Sequence, residues 1–298
     1  MHYEQQFFGR EDLKLPAVLG FLAIYIFAIV LVLLNKPQSA LLYIGLSIGI
    51  VFLCWLVVEL TTKMKIQSIN IKQPGFELIV GIIILAIWHY FPNMIKIDFG
   101  DKWSLGFILK KTIILVCTPF LFLKMRKHSL ASMGITIESW KKNLWMGFIV
   151  FLAMAIPSAL FVANTGSEIL SGKYSALQVG IGLLSSFIYY FLMSGFSEEF
   201  LIRAFIQTRV SCLLKSSISG VLVTSLVFGL IHIPNIMQWY PGTKVVEAFI
   251  RALFLQTFMG ILLGTLWERT KSLIPCAFVH SGINGLNNLS HIISKLGI

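Results

Sequence analysis

Two adjacent glutamates stand inside an apolar stretch of the chain, and an arginine follows them four residues later. They are Glu198 and Glu199, with Arg203 after them. Residues four apart face each other on a helix, so Glu199 and Arg203 are predicted to form a structural ion pair. Glu198 is rotated about 100° away and is expected to be unpaired. Its acidic neighbour and the low dielectric both favour proton uptake by its carboxylate, which suits a general base.

A histidine forms the second candidate cluster. Phe228 and His232 are four residues apart, which places the imidazole beside an aromatic ring on one helix face. Pro234 predicts a break or kink of the helix just after His232. Such a break is a usual way to open a polar cavity at membrane depth.

The third cluster combines an imidazole with a carboxamide. His280 and Asn284 again differ by four positions, so they share a helix face and both can donate hydrogen bonds. They could hold the oxyanion of a tetrahedral intermediate, or His280 could join Glu198 and His232 around a metal ion. Because each polar cluster in an apolar span needs a partner, we expect all three to converge on one cavity.

The elements that position these residues must be membrane-spanning helices. Of the 298 residues, 57% are hydrophobic and 12% are charged, and the mean hydropathy is +0.83. A soluble domain carries about 25% charged residues, and one or two anchors would be diluted by such a domain. The composition therefore excludes disordered, collagen-like, coiled-coil and disulfide-scaffold classes. It predicts an all-α, polytopic transmembrane bundle.

The apolar runs number eight or nine. Lys110 and Lys111 interrupt the fourth run, which makes it the doubtful one. The runs are Leu15–Leu34, Ala40–Leu60, Phe76–Phe91, a weak one ending at Leu123, Leu144–Val162, one from about Gly180 past Gly195, Ile218 to about Trp239, Ala248–Trp267, and Leu273 to about Ile293.

The net charge of +11 comes from residues between the apolar runs. If all nine runs cross the membrane, most basic residues fall on the side of the amino terminus, among them Arg10, Lys14 and the group around Lys124. Basic residues are enriched in cytoplasmic loops, so this distribution predicts a cytoplasmic amino terminus. Basic loops beside a membrane explain this charge better than a nucleic-acid surface, and no nucleic-acid partner is expected.

Other charges near the spans have structural explanations. Glu59, Glu77 and His89 lie near span ends, where they are expected to reach headgroups. Glu247 and Arg251 are four apart and are predicted to pair along a helix.

The three motifs occur in order on successive late spans, as Glu-Glu-x-x-x-Arg, Phe-x-x-x-His and His-x-x-x-Asn. This ordered set resembles the CPBP family of intramembrane proteases, the CAAX-processing and bacteriocin-processing or Abi family. The resemblance covers about Gly180 to Asn288. It divides the chain into residues 171–298, a protease core, and residues 1–170, a transmembrane region of unassigned role.

The resemblance implies an intramembrane endopeptidase that cleaves a membrane-associated protein or peptide, in CAAX processing or bacterial peptide maturation. It makes Glu198, with His232, the activator of the attacking water, and His280 with Asn284 the oxyanion stabilisers. Glu199 and Arg203 complete the first motif, and Phe228 supports His232. The family is described both as metallo and as glutamate-dependent without metal, so zinc and no cofactor both stay open. The expected location is the cytoplasmic membrane of a bacterium.

Two rival functions belong to other classes. One is a catalytically idle immunity or regulatory protein of the same fold, which the intact motifs disfavour. The other is a proton-coupled transporter, for which we find no inverted repeat. Other intramembrane protease types are disfavoured because the chain lacks His-Glu-x-x-His, Gly-x-Ser-Gly and Gly-x-Gly-Asp.

Overall fold

The computed structural model describes residues 15–35, 37–61, 69, 71–95, 104–136, 139–158 and 165–298. Arg10 and Lys14, on which the predicted orientation partly rests, lie outside these residues. Regular structure in the described part is helical throughout, without strands. The helices are α1 (Leu15–Asn35), α2 (Pro37–Leu60), α3 (Pro74–Ile95), α4 (Leu105–Thr112), α5 (Thr118–Met125), α6 (Trp140–Pro157), α7 (Thr165–Leu170), α8 (Ala176–Tyr190), α9 (Phe196–Glu199), α10 (Thr208–Leu214), α11 (Ser217–Leu230), α12 (Ile233–Trp239), α13 (Val245–Arg251), α14 (Phe258–Thr270), α15 (Leu273–Asn287) and α16 (Leu289–Leu296).

Wider π-helical turns join several of these helices end to end. They are Ile113–Cys117, Phe191–Gly195, Phe200–Gln207 and Ala252–Thr257. No break intervenes, so Leu105–Met125 is one continuous helical stretch and Ala176–Leu214 is another. Single π turns inside helices often mark functional sites, and two of these flank the Glu198–Glu199 pair.

Six helical stretches among the described residues are long and apolar enough to cross a membrane. This confirms the predicted all-α, polytopic fold. The doubtful fourth run is one of the six, as a 21-residue helix. The apolar part of α3, Pro74–His89, is shorter. The six are Pro16–Asn35, Gln38–Leu60, Leu105–Met125, Ala176–Leu214, Ser217–Gln238 and Val245–Thr270.

The chain divides into two compact units. The first comprises Met1–Leu78 and Ile206–Lys271, and the second comprises Ile79–Phe205 and Ser272–Ile298. In the first unit, α11 packs against α1, α10 and α14. A methyl group on Gly260 of α14 would stand 3.0 Å from the Cα of Ser225 on α11. Small residues therefore let these two helices approach closely.

The first unit also buries charged side chains. Glu77 is 1% exposed and accepts hydrogen bonds from Nε and Nη2 of Arg209, at 3.0 and 2.9 Å. The expectation that Glu77 reaches headgroups is therefore wrong, because a partner 132 residues away satisfies it inside the protein. The predicted pair of Glu247 and Arg251 is present on α13, with 3.2 Å between Oε1 and Nη2.

In the second unit, α15 is the central helix. It packs against α6, α8 and α9 and the π-helical turn Phe191–Gly195. Glycines line these contacts, since a methyl group on Gly285 would meet Ser186 at 3.1 Å and one on Gly147 would meet Pro275 at 3.0 Å. This close packing brings α9, which carries the adjacent glutamates, against α15, which carries His280 and Asn284.

Candidate active site

Glu198 and Glu199 occupy the end of α9, a four-residue α-helical stretch between two π-helical turns. Gly195 stands just before α9 and faces α15. A methyl group on Gly195 would lie 1.9 Å from Ser281 Oγ and 2.7 Å from the carbonyl oxygen of Ala277. Only glycine therefore allows the acidic segment to lie this close to α15.

Glu199 is fully buried between a guanidinium and an imidazole. Its Oε2 accepts a hydrogen bond from Arg203 Nε at 2.8 Å, so the predicted ion pair is present. Its Oε1 lies 2.8 Å from Nδ1 of His280. One carboxylate thus joins the first motif to the third, although 81 residues separate Glu199 from His280. Burial is tolerated because both oxygens are satisfied.

The sequence predicted that Glu198 has no partner, and this prediction is wrong. Lys111 Nζ lies 2.5 Å from Glu198 Oε1, and the two side chains are 5% and 18% exposed. The prediction followed from the spacing of residues along one helix. This partner instead comes from another helix, α4, and stands 87 residues earlier in the chain. The ammonium also lies 5.4 Å from the centre of the Trp88 ring. A lysine at the centre of a membrane span costs about 3 kcal/mol, and this ion pair offsets that cost.

The geometry of His280 defines the roles of its two ring nitrogens. Since Nδ1 faces the carboxylate of Glu199, we assign a hydrogen to Nδ1. Nε2 is then directed toward Glu198, whose Oε2 lies 3.9 Å away. This separation is too long for a direct hydrogen bond. Oε2 of Glu198 and Nε2 of His280 therefore face the same small region.

Asn284 lies one helical turn beyond His280 on α15. Its Nδ2 donates to the hydroxyl of Ser194 at 3.0 Å, and Ser194 in turn donates to the carbonyl of Tyr190. An amide nitrogen carries two hydrogens, so Nδ2 can make a second donation. The hydrogen bond to Ser194 fixes the orientation of the carboxamide.

His232 and Phe228 belong to the first unit. Their rings lie 4.5 Å apart, which agrees with the expected aromatic neighbour. Nδ1 of His232 is 2.6 Å from the Phe228 carbonyl, so Nδ1 carries a hydrogen and Nε2 can accept one. The helix was expected to break just after His232. The break lies slightly earlier, because α11 ends at Leu230 and α12 begins at Ile233, just after His232. Pro234 lies in the first turn of α12, where a missing N–H is tolerated.

The resemblance left a zinc site open, with Glu198, His232 and His280 as candidate ligands. Among the described residues, no group of three or more His, Cys, Asp or Glu side chains could hold a metal ion. In addition, a cation already lies against Glu198, because Lys111 Nζ is 2.5 Å from Oε1. His232 belongs to the first unit and Glu198 and His280 to the second, so the zinc set stays a prediction.

The range that carries Glu198, His232 and His280 is similar to a known protein family. Residues 180–286 match the family model of type II CAAX prenyl endopeptidase Rce1-like proteins. No curated protein and no solved structure gives a significant match to the chain. Fold and match together define the class as a multi-pass helical membrane protein in which residues 180–286 are similar to type II CAAX prenyl endopeptidases. The resemblance to the CAAX protease family is thereby confirmed over residues 180–286.

Lys111 is the residue of this cluster that the sequence analysis missed. It lies outside the matched range, and the analysis treated it as an interruption of a span. A signal was available, since a lysine inside an apolar run requires a buried partner just as a glutamate does.

Proposed function

We propose that this protein is an intramembrane endopeptidase that hydrolyses a peptide bond of a membrane-associated protein or peptide, with Glu198 as the general base. The observation that carries the proposal is the arrangement of Glu198 opposite His280, which Glu199 orients. This arrangement puts a proton acceptor, the carboxylate of Glu198, beside an imidazole whose orientation is fixed, and both are largely buried. The family match over residues 180–286 is the second support.

The reaction begins with water near Oε2 of Glu198. The carboxylate takes one proton from this water, whose oxygen attacks the carbonyl carbon of the scissile bond. The resulting oxyanion accepts a hydrogen bond from Asn284 Nδ2, and the imidazole of His280 is the second oxyanion group that the resemblance implies. When the carbon–nitrogen bond breaks, Glu198 returns its proton to the leaving amine. The second hydrogen of the water stays on the new carboxylic acid, which releases it to solvent, so the products are a carboxylate, a free amine and a proton.

His232 keeps the role implied by the resemblance, as the second activator of the water. Its support is the hydrogen bond at Nδ1, which leaves Nε2 as an acceptor for a water hydrogen. No step of this mechanism requires a metal ion.

The substrate is proposed to be a protein or peptide held at the bilayer by a lipid group or an apolar segment. The matched family model concerns prenyl endopeptidases, so a prenylated carboxyl-terminal peptide is the first probe. A membrane-inserted bacterial peptide without a lipid group is the second, because bacterial peptide maturation is the other activity of the family.

The test is cleavage of both probes by purified protein in liposomes, followed by mass spectrometry. Wild type is compared with Glu198→Gln and His232→Ala, and Glu247→Gln serves as the control because Glu247 pairs with Arg251 on α13. We expect turnover to fall by a factor of about 10² to 10⁴ in Glu198→Gln and to be unchanged in the control. Equal turnover in wild type and Glu198→Gln would refute the proposal. Absence of cleavage by folded wild type would favour a binding protein of the same fold.

A further inference from the structure

Lys111 belongs to the region whose role the sequence left unassigned, yet its ammonium contacts the carboxylate of Glu198. Residues 105–112 form α4, which packs against the π-helical turn Phe191–Gly195, and the π-helical turn Ile113–Cys117 packs against α9. The backbone around Lys111 therefore lies directly beside the backbone that carries Glu198. The contact follows from helix packing rather than from a long side chain crossing open space.

Positively charged groups lie against both of the adjacent glutamates, and His280 faces both of them. Glu199 is bound by Arg203 and His280, and Glu198 is bound by Lys111. These positive groups offset the mutual repulsion of the two carboxylates. Arg203 stabilises the structural pair with Glu199, and Lys111 contacts Glu198 directly.

Lys111 also distinguishes between the two oxygens of Glu198. Nζ lies at Oε1, whereas Oε2 is the oxygen near Nε2 of His280. A carboxylate held by one oxygen cannot rotate freely, so the other oxygen keeps a defined direction. A general base needs that definition, because proton transfer depends on hydrogen-bond geometry in the reactive pose.

We propose that Lys111 is a positioning residue for the general base: it holds Oε1 of Glu198 so that Oε2 faces the attacking water and His280. This inference rests on the proposed function. Packing alone is a poor explanation for Lys111, because a buried ion pair is often no more stabilising than apolar residues of the same size. The inference also gives the amino-terminal region a part in the reaction, outside the range matched by the family model.

The neighbouring lysine provides a matched control. Lys110 is on the same helix, but its ammonium lies 4.6 Å from the centre of the Phe107 ring and 5.1 Å from that of Trp88. Replacement by methionine removes the charge and keeps most of the side-chain volume in both cases. We expect Lys111→Met to lower kcat by about 100-fold with KM unchanged, and Lys110→Met to leave both constants near wild type. Lys111→Arg, which keeps a charged donor, should recover part of kcat.

A double variant shows whether Lys111 acts through Glu198. In the Glu198→Gln background, Lys111→Met should cause no further loss of the residual turnover. Thermal unfolding in detergent identifies variants that do not fold, and Lys111→Gln replaces Lys111→Met if the latter is unfolded.

Three results would overturn the inference. They are wild-type kcat in Lys111→Met, equal losses in Lys110→Met and Lys111→Met, and a full additional loss in the double variant. Turnover that survives Glu198→Gln would instead remove the proposed function. An inactive Glu198→Gln with a fully active Lys111→Met would remove the role of Lys111 alone.

Discussion

Nδ1 of His280 lies 2.8 Å from Oε1 of Glu199, and this contact joins α15 to α9 at the centre of the second unit. The same carboxylate accepts from Arg203 through its other oxygen. Glu199 is thus both a structural partner and the group that directs the imidazole. Its two roles can be separated experimentally, because they involve different oxygens and different neighbours.

Glu199→Gln should lower both stability and activity. The substitution leaves the buried Arg203 without a negative partner, and breaking such a pair costs about 3 to 5 kcal/mol. It also removes the carboxylate that fixes the hydrogen of His280 on Nδ1. The double variant Glu199→Gln, Arg203→Met should regain stability but not turnover. Thermal unfolding and kcat measured on the same preparations check both effects, and recovered turnover in the double variant would contradict the orienting role.

Gly195→Ala should abolish most activity. The added methyl group would lie 1.9 Å from Ser281 Oγ and 2.7 Å from the Ala277 carbonyl, so α9 must move away from α15. The contact between Glu199 and His280 would lengthen, and a shift of 1 Å is worth about 100-fold in rate. Gly180→Ala on α8 is the matched control, because no atom lies within 4 Å of the position of its methyl group. Equal kcat in the two variants would show that the close approach is unimportant.

Asn284→Asp tests the oxyanion role. The substitution keeps the shape of the side chain but replaces the donor nitrogen by an acceptor oxygen. Loss of one oxyanion donor typically lowers kcat by about 10² to 10³. We expect that loss with little change in KM, measured as initial rates over a range of probe concentrations. A rise of KM at constant kcat would instead assign Asn284 to substrate binding.

Chelators should leave the activity unchanged. The proposed steps use Glu198, His232, His280 and Asn284 alone, and none of these steps needs a metal ion. The measurement is turnover after dialysis against EDTA and 1,10-phenanthroline, with metal content determined by mass spectrometry. Loss of turnover that zinc restores would establish the metallo mechanism instead.

The buried pair in the first unit should matter for stability rather than for chemistry. Glu77→Gln leaves Arg209 buried without its partner and should destabilise the fold by about 3 to 5 kcal/mol. Replacing both residues by methionine should restore most of that loss. Unfolding midpoints in detergent measure the effect, and kcat of the folded fraction should stay at the wild-type value. A specific fall in kcat would show that this pair also serves the reaction.

Local patterns in the sequence predicted a substantial part of this protein. The apolar runs predicted an all-α membrane fold, because a membrane span is a property of one continuous segment. The spacing of four predicted the ion pair of Glu199 with Arg203 and the contact of Phe228 with His232, since helix neighbours are fixed by the helix itself. The ordered motifs led to a family that the match over residues 180–286 confirms.

Tertiary structure alone decided which groups meet across helices. Lys111 reaches Glu198 over 87 residues of chain, Arg209 reaches Glu77 over 132, and His280 reaches Glu199 over 81. The helical period shows which residues share one face of a helix. It does not show which face of another helix packs against that face. That choice depends on close contacts such as the one that Gly195 permits with α15. The partner of the proposed base was therefore decided by packing, although the base itself was visible in the sequence.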